Sequence, residues 1–561
     1  MRPEAEGSAW RGASDVWARR QGEALEAVRE PMRGRPKARG WQVAVASAAL
    51  GMAAAAGSSL AGGCSSPCER SQTCPPEASG ATGGGGVPST CVPSESGAPV
   101  DDACGVFVAA AGDDGAEGTK AAPLGTLGAA IGRARENGTA RVYACAETFE
   151  AEPAVEMPAG VTLYGGLDCA GGWAYAGASD GARTTLTARE GVIPLVMRGG
   201  EGVARIEDAA IVAKGIDAGD PAKRGLSSIA AVADAVTVEL VRCALKAGDA
   251  APGEDGAAHA EPAQRGGDGS AGNAACSAEI VVPANAPVNA CGAPDDPSDD
   301  SFGGVGGVAL QSSGGAGSPG SPGSAMNGGA GEVATACTPG TAGDNGIDGE
   351  PGAGAHGAGE ISTSGYTGIT GSNGAPGTTA QGGGGGGGAK GGTAAGQCTA
   401  GSAGGASGGS GGAGGCGGAG GRGGGAGGSS IALVSLDATL LFEDVTIATG
   451  RGGDGGAGGP GQDGGAAGAG GPGGGVPEDA AGLRPGCAGG PGGTGGRGGI
   501  GGGGLGGHAL GIAHVGAAPP ADGVTFAVGE AGAGGVGADE EHGGAPGVKA
   551  DAMAFAQDER R

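Results

Sequence analysis

Apolar residues in this chain come in short, widely separated bursts, and the spacing within each burst predicts what it builds. Val106 and Val108 alternate as in a β-strand, and Gly112 to Gly118 carries turn chemistry. Leu127, Ala130, Ile131 and Ala134 recur at helical spacing until Asn137-Gly138, which predicts one short helix; strands are expected next at Arg141 to Ala144 and Val161 to Tyr164. Four later bursts align with one another: RIEDAAIVAKG (205–215), ELVRCALKAGD (239–249), LFEDVTIATGR (441–451) and PADGVTFAVGE (520–530). Each puts an apolar residue in one column (Ile211, Leu245, Ile447, Phe526), with Ala209, Cys243, Val445 or Val524 two places earlier. SSIAAVADAVTVEL at 227–240 and SSIALVSLDATLLF at 429–442 nearly repeat each other. Repeats of this kind bury an apolar face only against their neighbours, so the second segment is expected to stack on the first.

Between the bursts the sequence is dominated by glycine. Residues 249–428 and 450–507 are expected to be inserts leaving the stack at an equivalent corner, which is tolerable because loop-closure entropy grows slowly with length. The stretch 408–425 reads GGSGGAGGCGGAGGRGGG, with glycine in register every third residue. Three residues per turn is the period of polyproline II, and glycine on two of its three edges lets neighbouring helices approach closely. Two outcomes are open: a laterally hydrogen-bonded bundle resembling poly-glycine II, or disorder, since ordering costs about 1–2 kcal/mol per residue. In a bundle, Cys416 stands on the third, outward edge, where Cys398 or Cys487 is the expected disulfide partner.

Residues 105–169 combine a short strand, a Gly-Asp-x-Gly-rich turn (Gly112, Asp113), Gly118-Thr119, Pro123 with Thr126, a helix with the Ala129-Ala130 pair, and strands ending at Gly165-Gly166. In this the segment resembles an uncharacterised bacterial family of right-handed β-helices in the pectin-lyase-like superfamily, with Phe149 where such proteins often place Tyr. The resemblance implies an all-β fold: a right-handed parallel β-helix with a short N-terminal capping helix. The glycine triplets are also similar to the repeat part of mycobacterial PGRS proteins, although the domain that defines that family is missing.

Composition changes the picture chiefly at the front of the chain. Residues 1–63 hold nine Lys or Arg against six Asp or Glu, whereas the whole 561-residue chain has a net charge of −27. From Met32, a basic run (Arg33, Arg35, Lys37, Arg39) is followed by an apolar run from Trp41 to Ala56 and then small residues up to Cys64. This is the order of a secretory signal, too short and Ala-rich for a membrane span. It resembles a bacterial lipoprotein signal, which implies lipidation of Cys64, cleavage before it and attachment to a membrane of the cell envelope. Met32 is the expected true start. The layout expected is a leader (1–63), a flexible Cys, Pro, Ser and Gly stalk (64–103), the N-terminal cap and first rungs (104–248), an insert (249–428), a rung (429–449), a second insert (450–507), and a last rung with a polar tail (508–561). Thirteen further Cys suit disulfides in an oxidising compartment.

Candidate chemistry is sparse. The acidic balance, with no basic patch, argues against nucleic acid. Glu207, Asp208, Glu443 and Asp444 occupy matching rung positions, where β-helix lyases and hydrolases gather carboxylates, but a solvated charged turn is the preferred reading. His259, His356, His508, His514 and His542 form no catalytic or zinc spacing, and GGDG (452–455) and GQDG (461–464) lack the regular apolar position of calcium nonapeptides. No catalytic, cofactor or metal residue is therefore assigned. The expected role is structural or adhesive, toward extracellular polysaccharide or surface proteins, with a carbohydrate-active β-helix enzyme as the alternative.

Overall fold

The computed structural model describes residues 87–556 apart from 178, 180, 293–295, 393–396 and 399–401. Cys64, Met32 and the rest of the leader lie outside the described residues, as do Cys68 and Cys74. The described part opens on a short 3-10 turn (Ser89–Cys91) and a single helical turn, α1 (Pro93–Ser96), followed by β1 (Val106–Val108) and the helix α2 (Leu127–Glu136). Thr126 caps α2 by accepting the Ala129 N–H, and Leu127, Ala130, Ile131 and Ala134 are its buried face.

From there the chain visits three sheets in a fixed cyclic order. β2 (Arg141–Cys145), β3 (Thr148–Ala151) and β4 (Val155–Pro158) each enter a different sheet. β5 (Thr162–Asp168), β7 (Thr184–Ala188) and β8 (Leu195–Arg198) add the next tier, with β6 (Ala174–Tyr175) paired antiparallel to β5 alone. The third tier is β9 (Val203–Glu207), β10 (Ala209–Val212) and β11 (Ser228–Asp234). The fourth begins with β12 (Thr237–Val241) and β13 (Ala244–Lys246). The small antiparallel pairs β14 (Val288–Asn289) with β15 (Ser301–Phe302), and β16 (Glu360–Ser362) with β17 (Gly365–Thr367), intervene before β18 (Ser430–Leu436) completes it. β19 (Thr439–Glu443), β20 (Val445–Ala448) and β21 (Ala509–Val515) follow, and β22 (Val524–Ala527) and β23 (Lys549–Ala554) end the second and third sheets. The strand pairings between tiers are parallel; antiparallel pairing occurs at β6, at the small pairs and at isolated bridges within the first insert such as Val281 with Ala309.

The registers confirm the alignment of bursts. Phe149, Leu186, Ile211, Leu245, Ile447 and Phe526 are successive partners along the second sheet. Ile229 pairs with Ile431 and Thr237 with Thr439, so the two near-identical segments do lie on one another. Inward residues of the three sheets form one apolar cluster with the buried face of α2. Tiers turn from the first sheet to the second through single left-handed residues, Asp208, Arg242 and Asp444, with φ of 56°, 51° and 55°. One residue redirects the chain from one sheet into the next there, and at Asp208 and Asp444 this suits Asp, whose side chain tolerates that region better than a branched one does.

The part of the expected stalk that lies among the described residues is folded. Val87 to Asp102 folds over the outer face of the first sheet, burying Cys91 and Val100 beside Phe107, Tyr143 and Tyr164. Those three rings stack at 5.0 and 5.3 Å, the Tyr143 hydroxyl donates to the Cys91 carbonyl at 2.7 Å, and disulfides Cys91–Cys104 and Cys145–Cys169 close the region. A Pro- and Ser-rich stretch reads as linker, but the aromatic ladder beneath it supplies the surface on which it folds.

Both expected inserts leave between the second and third sheets, after β13 and after β20. A third, 528–548, leaves at the same junction after β22. It was hidden in the polar tail because its acidic tip interrupts the glycine pattern.

Candidate functional site

The inserts are ordered, and their backbones hydrogen-bond laterally to one another. Gly409, Gly412, Gly415, Gly418, Gly421 and Gly424 donate to the carbonyls of residues 487, 490, 493, 496, 499 and 502 at 2.8–3.0 Å. The same stretch accepts from 371–386 on a second side and from 459–474 on a third. It has neither helical nor sheet hydrogen bonding, and the three-residue step of partners follows from the polyproline II period.

The glycines are there for close approach rather than for unusual dihedrals. A Cβ on Gly411, Gly414, Gly417 or Gly420 would run into carbonyls of 371–388, and one on Gly412, Gly415, Gly418 or Gly421 into carbonyls of 459–468. The third edge admits side chains: Ser410, Ala413 and Cys416. Gly382 to Gly388 shows the rule at its limit. Its three edges face 302–308, 327–330 and 487–490, each within reach of a Cβ, and all seven positions are glycine and buried. Glycine is thus required on each edge where a neighbour's backbone comes within reach of a Cβ, whereas the edge of Ser410, Ala413 and Cys416 is buried but leaves room for a small side chain.

Side chains on the open edges close what glycine cannot. Oδ1 of Asp255, Asp268 and Asp454 accepts the N–H of Ala457, Ala469 and Ala533 at 2.7–2.8 Å, and Asn345 and Asp348 do the same for Thr494 and Arg497. Pro460, Pro472 and Pro491 occupy equivalent edge positions and have no N–H to satisfy. Asp454 belongs to GGDG and also binds the Arg451 guanidinium at 2.6 Å; Asp463 of GQDG pairs with Arg497 at 3.3 Å.

Three disulfides staple the first two inserts: Cys276–Cys398, Cys291–Cys416 and Cys337–Cys487. The expected partner of Cys416 was therefore wrong. Cys398 is bonded to Cys276 and Cys487 to Cys337, whereas Asn289, two residues before Cys291, donates to the Gly414 carbonyl at 2.9 Å and fixes that segment alongside Cys416. Cys416 is also buried rather than presented outward. Cys243 is a buried free thiol in the apolar column, its pKa pushed up to about 12 by burial, which leaves it inert.

The matching carboxylates separate into two kinds. Glu443 and Asp444 are exposed, as a solvated turn requires, but Glu207 and Asp208 are each only 2% exposed. The reason is Arg242, at the same corner one tier on: it donates to Asp208 at 2.8 and 2.9 Å and to Glu207 at 2.8 Å. Arg205 binds Glu207 at 2.7 Å and also pairs with Glu239, and the Tyr175 hydroxyl donates to Asp208 at 3.1 Å. Hydrogen bonding to Asp208 holds the Arg242 guanidinium even further above its ordinary pKa. These carboxylates are neutralised in place and have no free oxygen edge for a substrate or cation.

Two clefts remain. One of about 410 Å³ lies at the start of α2, but Asp114 already fills the helix terminus by accepting from Gly125 N, Thr126 N and the Thr126 hydroxyl. The other, about 640 Å³, opens in the bundle between Asp299, Asp344, Thr378 and the Cys291–Cys416 bridge. Among the described residues, no three His, Cys, Asp or Glu side chains converge as a metal site. No known family model, curated protein or solved structure matches the chain.

Among the histidines, His508 plays a structural part. His508 is fully buried where the first insert, the third insert and β21 meet. Its Nδ1 accepts from Val548 N–H at 2.8 Å, so the proton sits on Nε2, 2.8 Å from the Ala358 carbonyl. Tyr366 of the β16–β17 hairpin meets it edge-on at 5.3 Å. No sequence pattern announced this junction, because its three parts are 40 and 150 residues apart.

Proposed function

We propose that this chain is an exported protein of the bacterial cell envelope, anchored by lipid at Cys64, that carries a rigid glycine bundle in a structural or adhesive role. The carrier is a right-handed parallel β-helix of pectin-lyase-like type, with α2 capping its first turn. Support for the β-helix comes from three parallel sheets entered in one cyclic order with a continuous apolar column. Support for export comes from five disulfides, which persist in oxidising compartments.

The observation that carries the role is the bundle itself. Its area is held almost wholly by backbone hydrogen bonds, it is covalently stapled, and it projects from one junction of the tiers. Such an object suits a spacer or a binding surface for extracellular polysaccharide or surface proteins. Catalysis is disfavoured by the Glu207 and Asp208 ion pairs, which occupy the carboxylates a lyase or hydrolase would use. Three acyl chains on Cys64 exceed the two signals stable anchoring takes, so Cys64→Ala should shift the protein from the membrane to the soluble fraction. Wild-type protein found wholly soluble after export would overturn the anchor.

A further inference from the structure

The third insert is shorter than the second, and the edge it leaves uncovered is unlike the closed edges around it. Its outgoing arm lies along that of the second insert: Gly452, Gly455 and Gly458 donate to the carbonyls of Glu530, Ala533 and Val536 at 2.8–2.9 Å. After Val536 the third insert turns back, while the second runs on to Gly475. Next in the same row stand Gly461, Gly464, Ala467, Gly470 and Gly473. Among the described residues none of these five N–H groups has an acceptor, and from Gly464 onward the row is half-buried, not sealed. On the returning arm, by contrast, Pro491 lacks an N–H, and Thr494 and Arg497 donate to side chains.

We propose that this row docks a glycine-rich polyproline II segment of a separate polypeptide, which continues the third insert's arm in trans. A row of unpaired backbone donors beside an arm already paired in the same register is a template for strand addition. The third insert displays the chemistry required of the ligand. Its Gly529, Gly532 and Gly535 sit where a Cβ would strike the carbonyls of Gly450, Gly453 and Gly456, so the ligand needs glycine at every third residue. Glu530, Ala533 and Val536 supply the acceptor carbonyls and keep their side chains, so the following position is free to vary. The exposed Asp463–Arg497 pair joins the two arms at the near end of the row and, being solvent-screened, gives way readily.

This inference deepens the binding role proposed above and rests on it. The test uses the oxidised full chain and a fluorescent peptide repeating Gly-Ala-Pro, in which Ala occupies the variable position and Pro, at the third, presets polyproline II. Saturable binding is expected, with none for a peptide repeating Ala-Ala-Pro. Ala467→Pro keeps the dihedrals but deletes the central donor, and should weaken binding about fivefold, the equivalent of one ordinary hydrogen bond. Ala467→Ser keeps the N–H and should bind as wild type. No binding of Gly-Ala-Pro, equal binding of both peptides, or unchanged affinity in Ala467→Pro overturns the proposal. If Ala467→Pro misfolds, amide exchange at Gly470 and Gly473 in wild type decides: slowing on peptide addition supports docking, and unchanged exchange overturns it. Membrane anchoring through Cys64 is read separately, so failure here leaves that part of the functional reading standing.

Discussion

Replacing Gly384 with Ala adds one methyl group at the centre of the bundle, and the structure sets its cost. The new Cβ would lie against the Asn327 carbonyl carbon and oxygen and the Gly328 nitrogen, all backbone atoms that cannot rotate aside. Restoring ordinary contact requires one helix to retreat by roughly 1.5 Å. Neither can do so freely, because Gly384 N–H donates to Thr341 at 3.0 Å and its carbonyl accepts from Gly490 at 2.8 Å. Overpacking of this kind costs about 1–3 kcal/mol, and loosening two hydrogen bonds adds about 1 kcal/mol each. The unfolded chain loses freedom in the Ala variant, which returns about 0.4–1 kcal/mol. A net destabilisation of about 2–4 kcal/mol is expected. Chemical denaturation followed by amide exchange across 382–388 measures it. Gly128→Ala is the control: on α2 nothing lies within 4 Å of its Cβ, so the helix should gain about 0.5–1 kcal/mol. If Gly384→Ala matches wild type in both assays, close approach is not why these positions are glycine.

Ile447→Asp puts a charge with no partner between Leu245 and Phe526, and should release the tiers from β20 onward, seen as lost strand signal and new cleavage after 443. Arg242→Ala strands the buried Asp208 carboxylate and leaves Glu207 only Arg205, and should cost about 3–5 kcal/mol in thermal or denaturant melts, whereas a loss under 1 kcal/mol would mean the network is solvated. Cys416→Ser opens a bridge between residues 125 apart; by the loop-entropy account this costs about 5 kcal/mol, and protease should then cut within 404–428. Unchanged resistance in the variant would show that the bridge adds nothing. Burial lowers the His508 pKa, so folding favours neutral imidazole. Its contribution is full above the ordinary imidazole range and is lost as pH falls through the lowered value. Denaturation midpoints taken from neutral into mildly acidic pH should fall in wild type and flatten in His508→Gln.

The tiers were legible because their cause is local. Ile211, Leu245, Ile447 and Phe526 each follow a turn residue at fixed spacing, so aligning the turns aligned the column. The glycine register likewise announced period three, and the exit corner followed from where the repeats broke off. Partner choice was not legible. Every GGX triplet offers the same two edges, so nothing in 408–425 says that it meets 264–273 rather than some other run, and the Cys416 pairing failed for that reason. Arg242 was missed because it stands at the position where its neighbouring tiers carry Asp208 and Asp444. Opposite charges stacked at one corner are an ion pair in three dimensions and an irregularity in one.

The triplet register of the bundle also governs how such a gene can change length. Adding one residue to an arm rotates every later side chain by a third of a turn, driving a Cβ edge into a neighbour's backbone. Arms can therefore lengthen only by whole triplets, and an outgoing arm only together with its return. The first insert contains the exception. Gly253 and Gly256 donate to Asp454 and Ala457, but Ala263 and Gly266 donate to Asp463 and Ala466, so one extra residue is absorbed between 256 and 263. It falls in AAHAEP, where the glycines stop and the arm lies at the bundle's exposed side. The extra residue thus sits where the lattice ends.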